Sequence, residues 1–343
     1  MSLSKFIEQE ANEIVDKIDF SPLEGKSIII TGASGIVGTY LIACLKMYSK
    51  RSNNPPIVYA VTRSNPTNFF SELLDFKNSK ILIGDLSKFE FLDSFPNVDY
   101  IIHAAGYGQP GKFLNDPLNT FNVNVFSELV LYNKLIKPGN FLFISTSEVY
   151  SGLTESPFKE TQIGNTNTNH FRACYIESKR CGEAISSSFR QLGVNSKSAR
   201  LSLAYGPGTR PGDERVLNDF IFGAISKGSI KLRDSGSALR TYCYITDAVE
   251  MLWNILLFGK HDIYNVGGFS KTSILDLAKN VCSILNSKCE IPQDDINKLS
   301  GAPEDVSLDM GRYISEFNKI DFVTLEEGLK RTINWQKELY INI

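Results

Sequence analysis

The chain has 343 residues, 42% of them hydrophobic, and a net charge of −2 from 36 basic and 38 acidic residues. That length supplies a substantial core for one large domain or two joined ones. No basic block points to nucleic acid, no acidic tail to a disordered arm, and no apolar run approaches a membrane span, so none of these is expected as a partner.

The six cysteines, Cys44, Cys174, Cys181, Cys243, Cys282 and Cys289, contain no C-x-x-C pair. Neither a metal site nor a disulfide framework is therefore expected, and the default location is cytoplasmic. The N-terminus carries Glu8, Glu10, Glu13 and Asp16 where a signal peptide would be basic and then apolar. Leu3, Phe6, Ile7, Ala11, Ile14, Val15 and Ile18 recur at helical spacing. They predict an amphipathic helix over residues 2–19, packed on its own domain rather than on a partner subunit.

The next stretch organises the rest. Ser27-Ile28-Ile29-Ile30-Thr31 reads as a buried strand, and Tyr40 to Leu45 as an apolar helix. Between them stand Gly32, Gly35 and Gly38, spaced three apart. A strand, a tight turn and a helix in this order aim N–H groups and the positive end of a helix dipole at a phosphate. Gly32 allows the turn, Gly35 lets a pyrophosphate approach, and Gly38 lets the helix pack on the strand, with Ser34, Ile36 and Val37 between them. The alternative is a glycine-containing turn with no ligand.

The helix should run to about Lys50 and end at Ser52-Asn53-Asn54-Pro55-Pro56. Residues 57–61 read as a second strand. Its end holds Thr62 and Arg63 where NAD-binding proteins usually carry an acid. An arginine there accommodates a 2′-phosphate, which tilts the cofactor, NAD or NADP, toward NADP; a plain surface arginine is the alternative. Lys80 to Leu86 is a third strand. Asp85, with Leu86 beside it, can accept from an adenine amino group or cap the helix that follows. Residues 99–106 form a fourth strand opening into Ala104, Ala105 and Gly106, small enough for a cofactor to lie close. His103 reads as a strand-end histidine rather than a catalyst. A helix is predicted from about Asp116 to Ile136, with Asn122 and Asn124 inside it, an unfavourable place for asparagine that hints at a role. Pro138-Gly139 breaks the chain before a fifth strand over 140–144. Strands alternating with helices over 27–204 predict an α/β, doubly wound parallel sheet.

The fifth strand ends in Ser145-Thr146-Ser147-Glu148-Val149-Tyr150. Ligands bind beyond the carboxyl ends of such strands. Tyr175 and Lys179 share one helix face at i and i+4. A nearby ammonium stabilises phenolate, so Tyr175 is a candidate base and Lys179 its tuner.

With these motifs, with His103-Ala104-Ala105-Gly106, and with Tyr205-Gly206-Pro207-Gly208 and Arg240 to Asp247, the chain resembles an extended short-chain dehydrogenase/reductase. It is similar to the nucleotide-sugar epimerase, dehydratase and decarboxylase group over roughly residues 26–270. The resemblance implies an α/β Rossmann domain over 26–204, an N-terminal helix in 1–25, and a smaller α/β substrate domain over 205–343, with the chain returning to the large sheet near 240–270. It implies that Thr146 bonds the sugar O4, that Tyr175 takes the O4 proton, and that Lys179 holds the nicotinamide ribose. Ser147, Arg215, Val216 and Arg240 would bind substrate, with Arg240 on the nucleotide diphosphate. Glu148 would remove the C5 proton of a 4-keto sugar, as in dehydratases, and the Thr146-Ser147-Glu148 triplet resembles both GDP-mannose dehydratases and UDP-glucuronate decarboxylases; a buried carboxylate held by backbone N–H groups is the alternative. Three departures stand out. Ser147 replaces an aspartate, Leu203 replaces an asparagine, and residues 301–308 lack an arginine that decarboxylases place near the sugar carboxylate.

The resemblance implies an NAD(P)-dependent enzyme that oxidises sugar C4 and then acts at C5. A 4-epimerase and an NADPH-dependent 4-keto-sugar reductase are the other readings. Helices 213–227, 246–258, 272–286 and 324–341 and an extended run over 230–245 are predicted for the remainder. Relatives pair through helices near 115–136 and 170–192, so the resemblance also implies a homodimer.

Overall fold

The three isoleucines of strand β1 (Ser27–Thr31) point alternately to two cores: Ile28 and Ile30 to one, Ile29 to the other. A strand apolar on both faces belongs in the middle of a parallel sheet covered by helices on each side. The computed structural model describes residues 2–292 and 305–341 and shows that sheet. The strands that follow are β2 (Ile57–Thr62), β3 (Ser79–Ile83), β4 (Val98–His103), β5 (Leu135–Thr146) and β6 (Asn195–Leu201). After three short strands, β7 (Ala204–Tyr205), β8 (Ser229–Lys231) and β9 (Leu239–Tyr244), strand β10 (Ile263–Val266) returns beside β6. The seven-stranded sheet runs β10-β6-β5-β4-β1-β2-β3, with each neighbouring pair parallel. Strand order reverses at β1, which lies between β2 and β4; a crevice at such a reversal is where ligands bind in this architecture.

Helix α1 (Leu3–Val15) ends four residues earlier than its apolar spacing predicts. It buries Ile7, Ala11, Ile14 and Val15. Glu10 is buried beneath it and accepts from the Tyr40 hydroxyl, from the Tyr244 hydroxyl at 2.7 Å and from Arg331 at 3.2 Å. One carboxyl thus ties α1 to α2 (Ile36–Ser49), to β9 and to the C-terminal helix. Burial raises the Glu10 pKa even against these three donors. Two short helices, α3 (Asn68–Leu74) and α4 (Phe89–Asp93), follow β2 and β3.

In place of the single helix expected over 116–136 there are three segments, preceded by a short helix, α5 (Pro110–Asn115). The three are α6 (Pro117–Phe121), a π-helical turn (Asn122–Phe126) and α7 (Ser127–Tyr132). Asp116 stands before a proline and sits at φ −138°, ψ 65°, outside the helical region that a following proline disfavours. Leu135 and Ile136 already belong to β5. Pro138-Gly139 does not break the chain but is absorbed as an irregularity in that strand, where the register against β4 shifts between Val98 and Tyr100.

Beyond α8 (Ala173–Gln191) come α9 (Val216–Lys227), α10 (Ile245–Phe258), β11 (Ser270–Ser273), α11 (Ile274–Leu285), β12 (Lys288–Glu290), β13 (Asp305–Val306), α12 (Gly311–Phe317) and α13 (Leu325–Ile341). Strand β9 pairs with β7, β11 and β13. The helix expected from Asp213 starts at Val216 because the Asp213 carboxylate accepts from the Arg215 N–H at 3.0 Å and closes a turn there. The run expected to be extended over 230–245 splits into β8 and β9 around Gly236, at φ +68°. Of the segment 301–308 that lacks the arginine, residues 301–304 lie outside the described residues.

Candidate active site

The glycine turn is built as its spacing requires. Gly32 sits at φ +66°, and a Cβ there would come within 2.7 Å of the Ala104 carbonyl. A Cβ on Gly38 would lie 2.4 Å from the Gly32 carbonyl oxygen, so α2 packs on the turn with no room for a side chain. Gly35 caps α2 and offers no side-chain acceptor, which leaves first-turn N–H groups of α2 free for an anion. Gly106 faces Asn124 and Lys179: a Cβ on it would stand 3.1 Å from Asn124 Oδ1 and 3.4 Å from Lys179 Nζ. The π-helical turn carries Asn124 inward, where Nδ2 donates to the Ser178 hydroxyl at 2.9 Å. Its Oδ1 is buried with no partner among the described residues. A cradle that excludes Cβ atoms, an uncapped helix and an orphaned acceptor together fit a dinucleotide.

At the end of β2, Arg63 donates to the Tyr107 hydroxyl at 2.7 Å and lies 4.0 Å from Asp85. Tyr107, absent from the sequence reading, also receives a hydrogen bond from Asn119 at 2.8 Å. Asp85 accepts from the Ser87 N–H at 2.9 Å and so closes a local turn; it does not cap the helix that follows, which starts at Phe89 with Lys88 as its N-cap. Burial works to raise its pKa, and Ser87, Arg63 and Lys88 together outweigh that, so the net direction is down. Leu86 beside it is buried.

Thr146 ends β5, and its hydroxyl accepts from the Glu148 N–H at 3.3 Å. Tyr175, on the first turn of α8, stacks on Phe113 with ring centroids 4.6 Å apart and planes 6° from parallel. One turn along, Lys179 donates to the Ile144 carbonyl at 2.8 Å and lies over the Phe143 ring. Burial pushes its ammonium down to about 8, with Glu128 and Glu183 pulling the other way. The expected lowering of the Tyr175 pKa by Lys179 is not what the geometry gives. Burial pushes the phenol up to about 12; the Thr146 hydroxyl bond lowers it, Glu148 raises it, and Arg172 and Arg215 lower it. The ammonium donates to a backbone carbonyl of β5.

Glu148 is not held by backbone N–H groups. Arg172, the residue preceding α8, takes both its oxygens, with Nε at 3.1 Å from Oε2, and lies over the Phe113 ring. Arg215 is paired with Asp213 at 2.7 Å, and Val216 beside it is exposed. Arg240 feels the charges of Glu148, Arg172 and Asp305; burial is the main reason its pKa falls. The fields of Arg215 and Arg240 meet at Tyr242, and those of Arg172 and Arg215 at Tyr175. The charges of three guanidinium groups from three elements thus reach this tyrosine–glutamate pair; Arg172 is balanced by Glu148 and Arg215 by Asp213. Ser147 is half-buried next to them. Ser145 points away and donates to Glu183 at 2.6 Å, inside a buried Glu183–Arg200 pair that is structural. Leu203 stands at φ +26°, backbone that asparagine adopts more readily than leucine.

His103 is a core histidine. Its Nε2 faces the Val123 carbonyl at 2.9 Å, which can only accept, so Nε2 carries the proton and Nδ1 accepts from the Thr31 hydroxyl at 2.7 Å. Burial, then the Lys179 charge, pushes its pKa down to about 3. The unfolded chain takes up this proton below about pH 6.5 while the folded chain does not until about 3. Stability from this group is therefore complete above 6.5 and lost as pH falls. Between pH 7 and pH 5 the loss is about 2 kcal/mol at 1.36 kcal/mol per unit. Urea denaturation at the two pH values should show it, and a His103→Gln variant should have the flatter slope.

The profile of the NAD dependent epimerase/dehydratase family matches residues 28–267, more than two thirds of the chain. The chain belongs to that family. It is an enzyme of the extended short-chain dehydrogenase/reductase class. Within the family it is similar to UDP-glucuronic acid decarboxylase 6 of Arabidopsis thaliana, 29% identical over 286 residues that cover 81% of this chain and 78% of the relative. An epimerase of Methanothermobacter thermautotrophicus shares the fold with a TM-score of 0.80 at 19% identity, covering 96% of each chain. A dTDP-glucose 4,6-dehydratase of Streptomyces venezuelae, solved with NAD, gives a TM-score of 0.76 at 20% identity over 91% of this chain and 97% of that one. Arg172 and Tyr242 were legible only as members of motifs, Tyr242 in the run from Arg240 to Asp247, and Phe113, Tyr107 and Arg210 carried no sequence signal.

Proposed function

We propose that the chain oxidises C4 of a nucleotide-linked sugar and then acts at C5, by decarboxylation or by 4,6-dehydration. The observation that carries this reading is the convergence of Thr146, Tyr175 and Glu148, with Arg172 on the Glu148 carboxylate and the charges of Arg215 and Arg240 felt at the same place. When bound, the nicotinamide cofactor would accept a hydride from C4 and later give it back, to C4 after decarboxylation or to C6 after dehydration. Thr146 orients the sugar O4 and Tyr175 accepts its proton. Lys179, Asn124 and Gly106 shape the ribose end of the cleft. A C4 ketone activates C5, and Glu148 lies on the same turn as Thr146: in dehydration it takes the C5 proton as the C6 hydroxyl leaves as water, and in decarboxylation, where the C5–C6 bond breaks to release carbon dioxide, it stands where a proton is returned to C5. Arg215, Val216, Arg240 and Ser147 receive the nucleotide diphosphate and the sugar. The UDP-glucuronic acid decarboxylase relatives favour decarboxylation, and the Glu148–Arg172 pair supports action at C5 in either form.

Arg63, with Thr62 in place of an acid, favours NADP over NAD. The exposed apolar side chains Leu118, Phe121 and Leu129 on α6 and α7 lie on the helices through which we expect a homodimer. The residues beyond 204 serve mainly the substrate, and the free cysteines suit the cytoplasm. Among the described residues no helix is long and apolar enough to cross a membrane.

Incubation with UDP-glucuronate, UDP-glucose, dTDP-glucose and GDP-mannose tests the proposal. Release of carbon dioxide, or the absorbance of a 4-keto product, is expected with no net consumption of added cofactor. Stoichiometric loss of NADPH with a 4-keto sugar would point instead to a reductase. Interconversion of C4 epimers alone would point to an epimerase, and no turnover with any sugar would overturn the reading.

A further inference from the structure

Arg210 lies in a loop that leaves β7 through Gly206, Gly208 and Gly212, at φ +151°, +92° and +75°. These are conformations that side chains rarely adopt, so the path of the loop is set by glycine. It is also pinned. Thr209 is buried and donates to the Gly206 carbonyl at 3.1 Å, and Gly208 lies against Tyr40, Thr39 and Ile7. From this fixed base the Arg210 side chain reaches back 176 residues to the cofactor turn. Its Nε donates to the Ser34 carbonyl at 3.0 Å and an Nη donates to the Ser34 hydroxyl. Among the described residues no carboxylate lies within 4.0 Å of it, whereas Arg172, Arg200, Arg215 and Arg331 each hold one. A guanidinium with no counter-ion thus stands beside free first-turn N–H groups of α2.

We infer that Arg210 is a strap on the pyrophosphate of the bound dinucleotide, adding a charged two-pronged donor to the N–H groups of the glycine turn. The inference rests on the dinucleotide reading of that turn. Its chemistry follows from the geometry: a planar fork already held at Ser34 loses little freedom when it also meets a phosphate, and its charge has no other partner to give up. The same loop runs on within five residues to Arg215 and Val216. Ordering Arg210 on the cofactor therefore steadies the segment that faces the substrate nucleotide, and slows release of a cofactor that must stay through both half-reactions.

Binding, rather than activity, tests this. Purified R210M and R210K variants and the unsubstituted chain are freed of nucleotide, then titrated calorimetrically with NAD, NADP, ADP-ribose and adenosine. R210M should bind NAD and ADP-ribose about ten- to hundredfold more weakly, the worth of one charge-assisted bond, with a shallower dependence on salt. R210K should recover part of the loss, since it restores charge without the fork. Adenosine, which has no phosphate, should bind all three alike. The melting temperature without ligand should fall only slightly in R210M, because the two bonds to Ser34 that it removes are exposed to solvent. Equal affinity of R210M and the unsubstituted chain for ADP-ribose would overturn the strap. So would a uniform loss that includes adenosine and markedly lowers the ligand-free melting temperature, the mark of a staple between segments. If R210M does not fold, R210K carries the test, and full affinity with an unchanged salt slope overturns the specific role of the fork. An unsubstituted chain that binds neither NAD nor NADP would overturn the dinucleotide reading itself.

Discussion

Replacing Tyr175 by phenylalanine should lower turnover by about a thousandfold while leaving the fold in place, the middle of the range for loss of a general base. The ring is held by its face, stacked on Phe113, and phenylalanine keeps that contact. What is lost is one hydroxyl and its bond to Thr146, a stability change of about 1 kcal/mol. The chemistry of the phenol sharpens the expectation. Burial holds it at about 12, so at neutral pH it is almost entirely protonated in the protein alone. A base needs the ionised form, and the groups that favour ionisation here are the Thr146 hydroxyl, Arg172 and Arg215, opposed by Glu148. Turnover of the unsubstituted chain should therefore rise with pH across the alkaline range, because deprotonation is the productive direction. The phenylalanine variant should lose that rise and keep only a low, flat rate. Unchanged kcat, or an unchanged pH profile, would remove Tyr175 from the mechanism.

What the sequence made legible is local. The glycine turn, the strand before it and the helix after it are consecutive in the chain, so their spacing fixes their geometry. Tyr175 and Lys179 share a helix face for the same reason, and the structure keeps them one turn apart. What stayed hidden depends on contacts between distant segments. Glu148 and Arg172 are 24 residues apart, and no periodicity brings a strand-end carboxylate under the residue that starts a helix. Arg210 and Ser34 meet across 176 residues. The π-helical turn at Asn122–Phe126 was hidden in another way. Asn122 and Asn124 stood out as poor helix residues, but their sequence does not say that the helix widens by one residue there and turns Asn124 into the cleft. The spacing of Tyr175 and Lys179 fixes where two side chains emerge and not what each one bonds. The Ile144 carbonyl, supplied by β5, claimed the ammonium first.

Exchanging Glu148 for glutamine should separate the two halves of the proposed reaction. Oxidation at C4 uses Thr146 and Tyr175 and should survive within about tenfold. Proton transfer at C5 should fall by about a hundred- to ten-thousandfold, the range for removal of a positioned base. The amide keeps the shape of the carboxylate and one acceptor for Arg172, so the turn from Ser147 to Tyr150 should hold. The cost is a lost ion pair at a site where both partners keep some solvent contact, about 1 kcal/mol after screening. Incubation in heavy water with a substrate of the family reads the two steps apart: a transient cofactor absorbance reports C4, and deuterium at C5 of recovered sugar reports the proton. Arg172→Met is the control. It removes the charge that now occupies both oxygens of Glu148 and leaves the carboxylate in place, so C5 exchange should persist in that variant. If deuterium enters C5 at the same rate in the glutamine variant, Glu148 serves only to anchor Arg172 beneath Phe113. The base would then have to be another group within reach of the sugar, with Tyr175 itself first in line, because a phenol that has accepted the O4 proton returns to its basic form once that proton is passed to solvent.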